Sequence, residues 1–273
     1  MRLCVCVDDV GLHPGIQDAA LRLVHAGRVH ALGCMVGAPA WAAAAAALRR
    51  LDAAEVDVGL HLDLTECPLP PWPARALPAL MLDAGLGRID HAALRAAIGA
   101  QLDAFEAGLG RAPAFVDGHQ HVHQLPQVRD ALVAELVDRQ AQGARPWLRA
   151  TRHVDAGLRP SLKARLIEAL GARGLARLAT AQGLPQNARL LGVYDFRGGA
   201  AVYQRLLLRW LRAARSGDLL MCHAGLGPTD ALQASREAEY EVWQAPATTA
   251  ALRANAIVLE PMSRILARAP RLP

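Results

Sequence analysis

Ala114-Phe115-Val116-Asp117-Gly118-His119-Gln120-His121-Val122-His123 carries three of the chain's ten histidines within five residues, directly after a short apolar run. If the whole stretch is extended, its side chains alternate faces. His119, His121 and His123 then point one way, and Gln120 and Val122 the other. Imidazole is the commonest protein metal ligand and the side chain that best handles protons near neutrality. A solvated turn accounts for a lone histidine; it accounts poorly for three in alternation beside an aspartate. A β-prone run ending on such residues delivers polar groups to one edge of a sheet.

The same design recurs along the chain. Asp8 and Asp9 follow Leu3-Cys4-Val5-Cys6-Val7, His61 ends Val56-Asp57-Val58-Gly59-Leu60, and His223 ends Leu219-Leu220-Met221-Cys222. Candidate strands over 2–7, 30–36, 56–62, 114–117, 146–150, 218–223 and 256–259 alternate with helical patterns. In the helix expected over 91–109, Leu94, Ile98, Leu102, Phe105 and Leu109 form an apolar stripe closed by Gly110. Another is expected over 126–142, with Pro126 first and Gly143 just past its end. Such alternation implies an α/β fold with a parallel sheet, and about seven units in one uninterrupted series favour a barrel-like form. No composition shift marks a linker, so residues 1–273 are expected to form a single domain. The polar residues all fall at carboxyl ends of candidate strands, the face on which α/β barrels and open α/β sheets build their sites.

Composition narrows the function classes. Apolar residues make up 53% of the 273-residue chain and charged residues 20%, the balance of a globular protein. The net charge of +5 comes from arginines scattered along helices, without the basic, aromatic-studded stripe that nucleic acid requires. No apolar run reaches the ~18 residues that span a bilayer; the alanine tract from Trp41 to Leu48 is closed by Arg49 and Arg50. The amino terminus lacks the pattern of a signal peptide. The five cysteines form no CxxC pair, and Cys4 and Cys6 share one strand face, so reduced thiols and a cytoplasmic location are expected. The proline-rich loop 64–75 follows His61 closely enough to rim a pocket, and its Trp72 offers a ring for stacking on a sugar or for plain packing. The stretch 174–200 reads as another loop over the sheet.

One carboxylate and two imidazoles make a three-ligand site with open positions, the layout of a catalytic metal centre. Metal-assisted hydrolysis further needs a general base for water and a proton donor for the leaving group. Two adjacent aspartates can divide roles, one binding the metal and the other staying free as the base. In an extended backbone, however, Asp8 and Asp9 point in different directions, and only one can face a metal directly.

These residues resemble the YdjC-like carbohydrate deacetylases, the group that includes chitooligosaccharide deacetylase and the hopanoid-biosynthesis deacetylases. The resemblance rests on Val7-Asp8-Asp9-Val10-Gly11-Leu12, on Val58-Gly59-Leu60-His61-Leu62-Asp63-Leu64-Thr65 and on Asp117-Gly118-His119-Gln120-His121-Val122-His123-Gln124-Leu125-Pro126, with weaker matches at Leu148-Arg149 and Met221-Cys222-His223. It implies a distorted, TIM-like (β/α) barrel that binds one divalent metal ion, Mg2+ or Zn2+. It also implies Asp9, His61 and His119 as metal ligands, Asp8 as general base and His223 as proton donor. The family usually reads Ala-Asp-Asp-Phe-Gly where this chain reads Val-Asp-Asp-Val-Gly, and Gly118 stands where serine is common. The first change removes an aromatic expected beside the metal; the second removes a hydroxyl expected to support the site.

The sequence thus reads as a metal-dependent hydrolase that deacetylates an N-acetylated carbohydrate and releases acetate. Asp117, His121, His123 and Arg149 are expected to orient the ligands or touch substrate. The rival readings are a metal-dependent phosphoesterase on a similar barrel, which wants a second metal, and a non-catalytic carbohydrate-binding protein, which has no need of Asp8. A homodimer is the commonest oligomer for such enzymes.

Overall fold

A computed structural model describes residues 1–152, 168–227 and 230–268. In chain order its elements are β1 (Arg2–Val10), α1 (Pro14–His25), β2 (Ala31–Cys34), α2 (Trp41–Leu48), β3 (Asp57–Leu62), α3 (Leu77–Gly85), α4 (His91–Leu109) and β4 (Phe115–Gly118). After a 3-10 turn at His119–Gln124 come α5 (Val128–Ala141), β5 (Trp147–Leu148), α6 (Arg173–Ala181), β6 (Leu190–Leu191), α7 (Gly199–Ala213) and β7 (Asp218–Cys222). The chain continues with α8 (Gln233–Gln244), α9 (Pro246–Ala254), β8 (Val258–Leu259) and α10 (Met262–Ala267).

The strands pair in parallel in the order β5-β4-β3-β2-β1-β7-β6, and β8 adds to the start of β1. The sheet curls until its ends meet. Leu148 and Gln186 form a parallel bridge, and the Asn187 amide accepts from Ala150 N and donates to Ala150 O. The α/β class and barrel-like form expected from the alternation, and the distorted barrel that the resemblance implies, are therefore the observed architecture. α4 spans the expected residues: the Asp90 carboxylate accepts from the Ala92 and Ala93 amides, and Gly110 ends the helix at φ 70. Three expectations are corrected. β1 runs on to Val10, so Asp8 and Asp9 lie within it. α5 starts at Val128 and not Pro126, because Gln127 sits at φ 60 with its amide bonded to the Ile89 backbone. The stretch 174–200 is no simple loop: it holds most of α6, all of β6 and the start of α7, and a two-residue strand is too short to show a period.

Strand periodicity sorts the core. Leu3, Val5 and Val7 face the helices and join the main apolar cluster, while Cys4 and Cys6 face the barrel interior with Ala31, Phe115, Trp147, Leu190, Leu219 and Met221. Met262 and Ile265 of α10 plug the floor of that interior. Asp57, at the start of β3, accepts from the Trp147 indole and from the Ser263 amide and hydroxyl, tying the plug to the strands. Two residues further on from each interior position comes a polar group: Asp8 above Cys6, His61 beyond Gly59, Asp117 beyond Phe115, Arg149 beyond Trp147 and His223 beyond Met221. A dry apolar floor with an ionisable ceiling is written into the alternation.

Gly59 has no side chain because that space belongs to a ring. A Cβ there would lie 2.3 Å from Phe115 Cδ1, and Phe115 is itself stacked on Trp147 with centroids 4.4 Å apart. Gly59→Ala is therefore expected to cost about 1–3 kcal/mol through overpacking, read by urea unfolding, with partial recovery when combined with Phe115→Leu. Unaltered stability in the single variant would show that this layer is not tightly filled.

Candidate functional site

Both aspartates of β1 reach the barrel mouth, which a regular strand forbids. Asp9 has φ 65, and the register of β1 against β2 slips between Val7 and Val10. This bulge turns Asp9 back over the same edge that Asp8 already faces. A left-handed aspartate is uncommon but tolerable, and such local strain concentrates at functional sites. The expectation of divergent side chains is thus corrected by one residue's backbone.

Asp9, His61 and His119 converge. Asp9 Oδ1 lies 3.4 Å from His61 Nε2 and 3.0 Å from His119 Nδ1, and one ligand atom from each residue falls within 4.8 Å of the others, all buried. The other nitrogen of His61, Nδ1, is 2.7 Å from Asp117 Oδ1, which fixes the ring. The second oxygen of Asp9 takes Arg236 Nη2 at 2.7 Å, so Oδ1 alone faces the histidines. A carboxylate and two imidazoles, oriented by a carboxylate behind one ring, fit a divalent cation by donor type, number and support.

Asp8 sits beside this set. Its two oxygens accept from Arg149 Nη1 and Nη2, each at 2.6 Å, and the Cys6 thiol lies 3.3 Å from Oδ1. Arg149 also reaches Asp117 Oδ2 at 2.7 Å. Burial by itself would raise the Asp8 carboxyl, but the Arg149 guanidinium outweighs it and holds Asp8 well below the usual carboxylate range. Burial opposes a charge on His61, yet Asp117, Asp9 and Asp8 push the imidazole up to about 10. His119 likewise rises well above its ordinary value, with Asp9 the chief cause against burial. The pocket is thus an intensely cation-seeking place.

The triple-histidine segment departs from the expected strand. After Gly118 it coils into the 3-10 turn, with Gln120 at φ 52 and His121 at φ 60, so the three imidazoles do not share a face. His119 goes to the cluster. His123 is fully buried and its Nε2 donates to the Arg149 carbonyl at 3.0 Å. Burial lowers His123 to about 4 and takes His121 well below its ordinary value, so both are neutral. A Cβ at Gly118 would lie 2.8 Å from the His123 amide nitrogen, so close approach of this turn explains the glycine, and a serine there would need it to shift. Val10 is fully buried in the main apolar core, so the missing aromatic alters packing there.

Trp72 is only 9% exposed, packs into the main core and donates its indole N–H to Leu64 O at 3.3 Å. Packing accounts for it, and its ring offers no face to a sugar. The loop meets the site through Glu66, whose Oε1 lies 3.3 Å from His119 Nε2 and accepts from the Gln120 amide at 2.9 Å. Asp63 holds that turn by accepting from the amides of Thr65, Glu66 and Cys67.

His223 stands at the opposite wall, partly buried, with the Phe196 ring edge-on at 4.9 Å. Burial lowers it to about 4, with Asp9 and Asp8 opposing. Its backbone N–H donates to Glu239 Oε2 at 2.5 Å, and the Tyr194 hydroxyl donates to Glu239 Oε1 at 2.6 Å. Sequence reading missed Glu66, Arg236 and Glu239. The available signal was faint: Arg236 and Glu239 share the buried face of α8 with Val242 and Trp243, and charges on such a face need partners.

The YdjC-like protein family matches residues 2–254. A human carbohydrate deacetylase is 34% identical over 159 residues, covering 53% of this chain and 47% of its own length. A mouse carbohydrate deacetylase is 33% identical over 159 residues, covering 53% and 49%. The chain thus spans about half the length of the curated relatives it matches. Among solved structures, an Enterococcus faecalis protein assigned provisionally to cellobiose-phosphate cleavage superposes with a TM-score of 0.69 at 18% identity, over 97% of this chain and 98% of that one. A family 4 acetyl xylan esterase from Clostridium thermocellum, with cobalt bound, gives 0.52 at 10% identity, over 98% and 91%. At these identities the two structures speak to the fold alone.

The burial of Glu239 carries a pH signature. Burial raises its carboxyl to about 7 against the lowering effect of the Tyr194 hydroxyl and the His223 amide. From about pH 4.5 to 7 the unfolded chain has lost this proton and the folded one keeps it, so this group makes stability fall with rising pH. Glu239→Gln removes the titration. Its stability relative to the parent should therefore improve by about 1–3 kcal/mol across that window and then level off. Urea unfolding at several pH values measures this; a constant difference from pH 5 to 8 would refute it.

Proposed function

Because the chain belongs to the YdjC-like family, we propose that it is a hydrolase that deacetylates an N-acetylated carbohydrate, with one divalent ion, Mg2+ or Zn2+, held by Asp9, His61 and His119. The observation that carries this reading is the buried convergence of those side chains beside a carboxylate that Arg149 keeps ionised. The ion supplies Lewis acidity toward a bound carbonyl. The chain's own residues do the rest. Asp8 is unprotonated at neutral pH and takes the proton of the attacking water. Arg149 spans both Asp8 oxygens, so the carboxylate cannot rotate away as charge shifts. Asp117 holds the His61 ring in one orientation. The leaving nitrogen collects its proton from His223, which burial keeps neutral at pH 7 with its value lowered to about 4, and which therefore first takes up the proton that Asp8 removed from the water. Products are acetate and a free amino sugar.

The phosphoesterase reading loses ground on geometry. A second metal would fall to Asp8, His61 and Asp117, which also cluster, but Arg149 already lies against both carboxylates, and a guanidinium there opposes a cation. Among the described residues no helix is long and apolar enough to cross a membrane, and the cysteines are free, which supports a reducing, cytoplasmic setting.

Asp8→Asn is expected to keep the fold and the bound metal and to lose about 10²-fold or more in kcat. Asp9→Asn should lose metal itself. Elemental analysis and acetate release from N-acetylglucosamine oligomers at saturating metal separate the two. A metal-free Asp8→Asn protein, or near-normal turnover in the loaded variant, would overturn this division of labour; release of phosphate and not acetate from candidate esters would overturn the reaction class.

A further inference from the structure

Helix α8 approaches the site from outside the barrel and presents two buried charged side chains one turn apart, Arg236 and Glu239. Both act on His223 through its backbone. Glu239 Oε2 accepts the His223 N–H at 2.5 Å, and Arg236 Nη1 lies 3.3 Å from the His223 carbonyl oxygen, as a donor. The peptide groups on either side of the residue are thereby gripped by one rigid element. Each gripping side chain is itself braced. Tyr194 donates its hydroxyl to the second oxygen of Glu239 at 2.6 Å, while Arg236 Nε meets Asp230 at 2.7 Å and Nη2 meets Asp9 at 2.7 Å. Main-chain contacts add to the docking: Gly225 N donates to Arg236 O at 3.1 Å, and Leu226 N donates to Gly15 O at 2.9 Å. His223 follows β7 just past Cys222, the last residue of its ladder with β1, so among the described residues its main chain lies outside the strand pairing.

We propose that Glu239 and Arg236 are positioning residues that set where the His223 imidazole stands relative to Asp9, with Tyr194 locking Glu239 in place. This rests on the reading of His223 as proton donor. The physical case is one of tolerance. Proton transfer demands heavy atoms within hydrogen-bond reach, and a misplacement of about 1 Å can cost 10²-fold. A histidine on a connection after a strand acquires that precision only from groups that hold its peptide, and here those groups come from α8. Because Arg236 also bonds Asp9, any Arg236 variant disturbs the metal ligand as well. Glu239 touches only the donor side, so the test falls on Glu239.

The experiment is a double-mutant cycle on acetate release from an N-acetylglucosamine oligomer, with metal content and thermal unfolding measured for every protein. Glu239→Leu removes both acceptor oxygens, and Glu239→Gln retains one. Tyr194→Phe is the milder probe should Glu239→Leu fail to fold. In the parent, Glu239→Leu is expected to lower kcat by about 10²-fold with little change in KM, Glu239→Gln by less than about 10-fold, and Tyr194→Phe by about 3-fold, all with metal content unaltered. In the His223→Ala background the same substitutions should cost less than about 2-fold, because a residue that works through His223 has nothing left to position. Equal losses in both backgrounds, or a loss of bound metal that tracks the loss of activity, would overturn the inference while leaving the proposed function intact. A parent that releases no acetate, or a His223→Ala protein as active as the parent, would instead sink the reading on which it rests.

Discussion

One buried guanidinium organises this site. Arg149 is fully inaccessible and lies against Asp8 with both of its terminal nitrogens, against Asp117 with one of them, and 3.1 Å from the Cys6 sulfur. Two ionised carboxylates at the top of an apolar barrel would each carry a desolvation cost of several kcal/mol. A single cation shared between them offsets that cost and fixes both geometries. The consequences pass outward along ion pairs. Asp117, anchored on one oxygen by Arg149, has the other free to orient His61; His61 faces Asp9; Asp9 in turn is anchored by Arg236. The cluster is a chain of alternating charges in which Asp9 and Asp117 each give one oxygen to an arginine and the other to a histidine, while Asp8 gives both of its oxygens to Arg149.

That alternation decides what each group can do. A carboxylate paired with an arginine on both oxygens stays ionised but is a weak base, and its advantage is certainty of charge state and position. A carboxylate paired on one oxygen keeps the other directed, which is what a ligand needs. Asp8 is of the first kind and Asp9 of the second, although they are sequence neighbours. The left-handed backbone of Asp9 brings both side chains to one edge, and there they meet different arginines, one just beyond β5 and one on α8.

The legible part of this structure was the part governed by period two. Apolar runs ending in Asp8, His61, Asp117 and His223 identified the strands, their parallel arrangement and the edge that carries the chemistry. α4 was equally legible, since its stripe and both caps are local. What escaped was whatever depends on a single backbone angle or on a distant partner. Nothing in Val-Asp-Asp-Val announces a bulge. Nothing in His-Gln-His-Val-His distinguishes an alternating strand from a 3-10 turn, because both are defined by φ and ψ at Gln120 and His121. The Arg236–Asp9 contact spans 227 positions, and a helix carrying Ser-Arg-Glu-Ala-Glu-Tyr reads as a solvated surface until its neighbours are known. The fold was therefore readable at the level of elements, and the site at the level of its inner residues, while the supporting shell required three-dimensional contact.

The coiling of the histidine segment shows why composition alone overstates a metal site. Three imidazoles in five residues suggest a shared ligand set, yet the turn directs one to Asp9 and spends another on a backbone carbonyl. His123, bonded to the Arg149 carbonyl and kept neutral by burial, braces the chain at Arg149, just beyond β5. Its proximity to Gly118 leaves no room for a side chain at that position. Glycine at 118, the turn at 119–124 and the carbonyl of Arg149 thus form one steric and hydrogen-bonded unit, and its effect is to hold the arginine against which Asp8 and Asp117 lie. In this barrel His123, which stands outside the cluster of Asp9, His61 and His119, still shapes the centre through the Arg149 carbonyl.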